Sequence, residues 1–149
     1  MSLFLVLKVV HILGAITALG ANISYAFWMR RAGNDRDRIL DTIDGIRRLD
    51  SRVANPAYAV VFVVGILLVL TGNYSFTTFW IAAAIIIFVA VTLLGIFVYA
   101  PALRRQEAEA RADISSPAYA AAARRQTLLG ALLTLHAVVI VILMVTKPG

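Results

Sequence analysis

The charges of this chain are sorted rather than spread. Of its 14 Lys and Arg residues, 12 are arginines confined to two stretches that separate long apolar runs. Seven of them (Arg30, Arg31, Arg36, Arg38, Arg47, Arg48 and Arg52) fall between the first and second runs, and five (Arg104, Arg105, Arg111, Arg124 and Arg125) between the third and fourth. The turn between runs two and three carries none, and one lysine lies towards each end of the chain, Lys8 and Lys147. Short loops rich in arginine stay on the cytoplasmic side of a membrane. The pattern therefore predicts four crossings with both termini outside, in a bacterial inner membrane.

Composition points the same way. The 149 residues are 61% hydrophobic and only 15% charged, with a mean hydropathy of +0.86, whereas a soluble domain carries about a quarter charged residues. With no cysteine, disulfides, thiolate metal sites, iron–sulfur clusters and covalently attached haem are excluded. The net charge of +6 does not signal nucleic acid, because it is concentrated at the edges of apolar runs. The first run starts at Leu3, too early for a basic leader region, and reaches about Met29, too long for a signal-peptide core. It reads as a retained helix.

The sequence thus predicts an all-α fold, an integral membrane four-helix bundle with N-out/C-out topology, as a single transmembrane domain over residues 1–149. Its helices are expected over about 3–29, 56–72, 78–100 and 117–146, with cytoplasmic loops 30–55 and 101–116. Asn55-Pro56 and Ser115-Ser116-Pro117 read as caps followed by a proline in the first turn, Thr71-Gly72-Asn73-Tyr74-Ser75 as a tight turn, and Pro101 as a stop. Within the first loop Ile39, Ile43, Ile46, Leu49 and Val53 recur at helical spacing after a candidate cap at Asn34. This stretch reads as an amphipathic helix on the membrane surface or as an extension of a spanning helix. The interleaved Asp35, Asp37, Asp41, Asp44 and Asp50 read as a solvated, self-paired surface, and Trp28, Tyr58, Trp80 and Tyr99 as interface anchors. Gly14 with Ala18, and Gly20 with Ser24, have the small-xxx-small spacing of helix contacts.

Two residues stand out against this background. His11 and His136 are the only histidines, and each lies inside an apolar run, where an ionisable side chain is a functional candidate. Counting about 1.5 Å per residue places them roughly 12 and 15 Å below the outer edge. In a compact bundle the first and last helices are neighbours, so the two rings are expected to face each other. Lys8, Ala15, Ala18, Asn22 and Tyr25 share the His11 face, while Leu129, Leu132, Ile140 and Leu143 surround His136. A polar stripe facing an apolar one suits b-type haem: His11 and His136 as axial ligands of the iron, Lys8 as propionate partner, and Asn22 and Tyr25 completing the cofactor-binding face. The rival reading is a non-catalytic scaffold or accessory subunit. There the histidines only bridge helices through bonds worth about 0.6 to 2 kcal/mol, and the lysines snorkel to the interface. Two histidines without a nearby carboxylate make a poor permanent zinc or copper site.

The run Leu7-Lys8-Val9-Val10-His11-Ile12-Leu13-Gly14-Ala15 resembles the first helix of a loose superfamily of bacterial membrane proteins. That superfamily includes the copper-resistance protein D family, the J-type protoporphyrinogen oxidases and a small four-helix family known only as predicted integral membrane proteins. The last match covers most of the chain and extends to Thr71-Gly72, Trp80 and Tyr99-Ala100-Pro101. Resemblance to the oxidases implies haem b held by a histidine at the position of His11; resemblance to the copper group implies copper handling, and with it a small transporter as a third reading. The expected class is a cofactor-binding membrane protein in electron transfer or haem and porphyrin handling. Its expected partners are the lipid bilayer and a redox partner or a second copy, not nucleic acid.

Overall fold

The computed structural model describes residues 2–148 as four long helices: α1 (Leu3–Ala32), α2 (Arg36–Thr71), α3 (Phe79–Ala112) and α4 (Pro117–Thr146). All four are long and apolar enough to cross a membrane, and no strand occurs among the described residues. Side-chain caps set three of the starts. The Ser2 hydroxyl accepts from the Leu5 N–H, the Asp35 carboxylate from the Arg38 N–H, and the Ser116 hydroxyl from the Tyr119 N–H. The cap of α2 is therefore Asp35 rather than Asn34. Asp35 is the last residue with extended backbone before the helix, so its oxygen reaches the unpaired N–H groups of the first turn.

Of the three prolines expected to bound a helix, Pro117 opens α4, whereas Pro56 and Pro101 lie inside one. In α2 the Asn55 N–H bonds back five residues to the Asp50 carbonyl, and in α3 the Ala100 N–H bonds to the Gly95 carbonyl. These wide π-turns end just before Pro56 and Pro101. A proline ring collides with the carbonyl four residues earlier, here Arg52 and Phe97, and widening the turn relieves that clash without ending the helix. Most of the two arginine-rich stretches is consequently helical, with turns only around 33–35 and 113–116.

Helices of 30 to 36 residues span about 45 to 54 Å, well beyond the ~30 Å of hydrocarbon in a bilayer. The excess emerges at the arginine-rich end, where it forms a small core of its own. Ile39, Ile43 and Ile46 are buried there with Ala32, Leu103 and Ala110. This amphipathic stretch is thus the first part of α2, packed inward, and not a helix lying on the membrane surface; only Val53 at its end is exposed. Arg47 and Arg111 both pair with Glu107, at 2.7 and 2.9 Å. Arg36 donates to the carbonyls of Ala110 and Arg111 at the end of α3, at 3.3 and 2.8 Å, where positive charge complements the helix dipole.

At the other end lie Ser2, the 72–78 turn and the end of α4: Lys147 sits over the rings of Tyr74 and Trp80. A β-carbon at Gly72 would come within 2.8 Å of both the Leu68 carbonyl and the Phe4 ring, so only glycine allows α1 to approach the turn this closely. In the apolar half, α1 packs on α2 and α3 on α4, with α1 also touching α4. The Gly14 contact is confirmed, since a β-carbon there would stand 2.9 Å from Val61; at Gly20 nothing lies within 4 Å. Segments Asn55–Thr71 and Phe79–Leu94 do not approach each other at the backbone level. Side chains bridge that gap: Phe62 is stacked on Phe88 at 5.4 Å and Tyr58 is edge-on to Phe88 at 6.2 Å, and nearer the turn Val69 is buried with Trp80 and Ile81.

Candidate functional site

The separation of the two helix pairs leaves a cavity of about 450 Å³ in the half of the bundle nearest the termini. All four helices line it. Its walls are apolar, with Val61, Phe62, Ile81, Phe88 and Ile140 prominent, and its polar groups are few: Lys8 and His11 from α1, Tyr74 and Trp80 around the turn, and Lys147 after α4. Two cations at the mouth of a hydrocarbon-lined space, with an imidazole further in, make a strongly asymmetric chamber.

Each group is held by its element. Lys8 is one turn from His11 on the same face of α1. Lys147 adopts a left-handed backbone (φ 47°) that ends α4, its N–H bonded to the Leu143 carbonyl at 3.0 Å. That turn aims its ammonium at the faces of Tyr74 and Trp80, 5.7 and 5.5 Å from their centroids, a cation–π arrangement. The His11 ring packs against α2 where Gly65 leaves room; its Nδ1 is buried without a hydrogen bond of ordinary geometry, the Val61 backbone being its polar neighbour. A buried polar nitrogen left unpaired is uncommon in a folded protein.

The other members of the expected cofactor face lie elsewhere. His136 does not line the cavity. It is one turn deeper than Ile140 on the same stripe of α4, and its Nδ1 donates to the Leu132 carbonyl of its own helix at 2.7 Å. Asn22 and Tyr25 lie nearer the arginine-rich end, in a second polar cluster. There Asn22 Nδ2 donates to the Tyr58 hydroxyl, and the Tyr25 hydroxyl donates to Asp50 Oδ1 at 3.0 Å. Gln126 is buried beside the Tyr99 hydroxyl. Asp50 therefore leaves the group of solvated acids to which its spacing assigned it, and Tyr58 and Tyr99 face this cluster rather than anchoring at an interface. Trp28, by contrast, is exposed, edge-on to Phe27 and 5.8 Å from Arg31.

Several contributors carried no sequence signal of their own. Gly65 is a lone glycine in an apolar run, and Gln126 was hidden behind Arg124 and Arg125. Lys147 carried one, since a lysine just past the last apolar residue can turn back to that interface. Among the described residues, no group of three or more His, Cys, Asp or Glu stands close enough to hold a metal ion.

Comparison with known proteins gives a family and no activity. The chain belongs to the family described as predicted integral membrane protein (DUF2269), whose model matches residues 5–148. No curated protein and no solved structure matches it.

Proposed function

We propose that this member of the family holds a single anionic amphiphile in the cavity near its termini, with the acidic group between Lys8 and Lys147 and the apolar body against the aromatic and aliphatic walls. The observation that carries this reading is the chamber's asymmetry: its two cations are at the mouth, and everything deeper except His11 is apolar or aromatic. Such a site matches a molecule with a charged head and a greasy body, because each part is desolvated only where a partner replaces the water. On this reading the molecule enters from the lipid between the apolar halves of α2 and α3, where the stacked rings of Phe62 and Phe88 would part to admit it. With arginine-rich ends facing the cytoplasm, the chamber opens in the outer leaflet of a bacterial inner membrane.

Haem b is the member of this ligand class that the Lys8-x-x-His11 pattern and its likeness to the J-type oxidases favour. Its propionates would meet the two lysines, and His11 is the histidine within reach of its iron. The bis-histidine arrangement between the first and last helices fits less well, because His136 lies below the cavity with Nδ1 already bonded. In this form the function is haem or porphyrin handling, or electron transfer with a redox partner. The second reading is a membrane scaffold with packed histidines, and the His136–Leu132 bond is what favours it.

The test is a titration of the protein, purified in mild detergent, with haem b and separately with a fluorescent long-chain fatty acid. Saturable binding of one molecule per chain, weakened in both Lys8→Ala and Lys147→Ala, is expected for either probe. For haem, a Soret band that is lost in His11→Ala and kept in His136→Ala is expected. Failure of both probes to bind saturably overturns the cavity reading in favour of the scaffold.

A further inference from the structure

Between the cavity and the arginine-rich end, every helix contributes a polar side chain to one level of the bundle: Asn22 and Tyr25 from α1, Asp50 and Tyr58 from α2, Tyr99 from α3 and Gln126 from α4. None of the six lines the cavity. Asp50 supplies the only carboxylate, and its charge reaches the hydroxyls of Tyr25, Tyr58 and Tyr99. Among the described residues no arginine or lysine pairs with it. Its one hydrogen-bond partner is Tyr25, on Oδ1, which leaves Oδ2 free. Gln126, only 7% exposed, makes no hydrogen bond of ordinary geometry through its amide oxygen or nitrogen, and its polar neighbour is the Tyr99 hydroxyl, close enough for a weak bond.

The backbone at this level is irregular as well. The π-turn at Asp50–Ala54 and the one at Gly95–Tyr99 each precede a proline, which deprives the Arg52 and Phe97 carbonyls of the N–H four residues on. Carbonyls at interrupted helical turns, together with a carboxylate, are the usual ligands of Na⁺ in membrane transporters. The side-chain donors here are all oxygen apart from the amide nitrogens, a set that suits hard cations. Charge favours the lower valence: one carboxylate neutralises a monovalent ion, whereas a divalent ion would leave a net positive charge at a half-buried site.

We infer that this cluster is a binding site for one monovalent metal cation, with Asp50 Oδ2 as the charged ligand and the Gln126 amide oxygen and nearby hydroxyls as neutral ones. Because Asp50 and Tyr99 sit on the two π-turns, the ion ties together the helix pairs that splay apart around the cavity. The inference does not rest on the identity of the cavity's occupant.

Thermal unfolding of the purified protein in NaCl and in choline chloride, at equal ionic strength and fixed pH, tests it. Sodium is expected to raise the midpoint saturably, by roughly 3 to 6 °C at ten times its dissociation constant. Asp50→Asn keeps an acceptor for Tyr25 and is expected to abolish the shift. Gln126→Leu is expected to raise the half-saturating Na⁺ concentration about tenfold, which serves if Asp50→Asn does not fold. Equal midpoints in the two salts, a shift that survives Asp50→Asn, or an unchanged half-saturation in Gln126→Leu overturns the inference. So does a midpoint that responds to pH through Asp50 but not to Na⁺, which assigns the site to a proton.

Discussion

The imidazole of His11 rests on α2 at Gly65: a β-carbon built there would stand 3.1 Å from its Cε1 and 3.5 Å from its Nδ1. The first distance is tighter than an ordinary carbon–carbon contact of about 3.5 to 4.0 Å. The missing side chain of one helix is what holds the ring of the other in place.

Substitution at Gly65 should therefore separate stability from binding. In Gly65→Ala, the ~1 kcal/mol gained in helix propensity is offset by overpacking of about 1 to 3 kcal/mol, so the unfolding midpoint should move by only a few degrees. The ring must shift, and haem affinity should fall. Gly65→Val leaves no room for relief and should lower both. Unchanged haem binding in Gly65→Val would show that the His11 position is not fixed by this contact.

Lys147 gives a prediction with a clear chemical control. A charge-assisted bond contributes about 1.5 to 3 kcal/mol, or roughly 10- to 100-fold in affinity. Lys147→Ala should weaken the fatty-acid probe by that order, while Lys147→Arg retains the charge and the stacking on Trp80 and should bind nearly as well. Equal affinity in all three proteins would remove Lys147 from the site.

How far the sequence reveals these features depends on the kind of signal each one leaves. The sorted arginines and the four apolar runs carry the bundle, because water and hydrocarbon impose them residue by residue. The Lys8–His11 stripe is legible because both residues lie on one helix at a spacing of three. Asn55-Pro56 is ambiguous by nature, since the same pair marks a helix start or a widened turn within one, and only packing decides. His136 shares the stripe of Ile140, so its direction was readable, but whether the cavity extends one turn deeper depends on how α2 and α3 splay. Asp50 was hidden by its neighbours, four other acids that do face solvent or pair with arginines; its hydrogen bond to Tyr25 spans 25 positions.

The centre of mechanical stability should lie outside the bilayer. Ile43 is 0% exposed among the side chains of the arginine-rich end, whereas Ile86, within the apolar half of α3, is 68% exposed and faces lipid. Ile43→Ala should cost about 2 to 5 kcal/mol, a drop in midpoint several times larger than that of Ile86→Ala measured in the same detergent. Comparable drops would place the core in the membrane instead.

Acid should loosen the same end first. Arg111's hydrogen bond, reinforced by the Arg47 charge, holds the Glu107 carboxyl below the usual carboxylate range. A depressed folded value means the unfolded chain binds the proton more readily, so the stabilisation is complete above the unfolded pKa of about 4.3 and disappears as pH falls through the lower folded one. Unfolding midpoints measured from pH 7 downward should thus fall on the acid side of about pH 4.3, and Glu107→Gln should flatten that part of the profile while lowering the midpoint at pH 7. Asp113 follows the same sign: hydrogen bonds from Ser115 hold it below its ordinary value, but it is fully exposed and should contribute little to the slope. If Glu107→Gln keeps the wild-type acid profile, the Arg47–Glu107–Arg111 bridge between α2 and α3 does not hold these helices together.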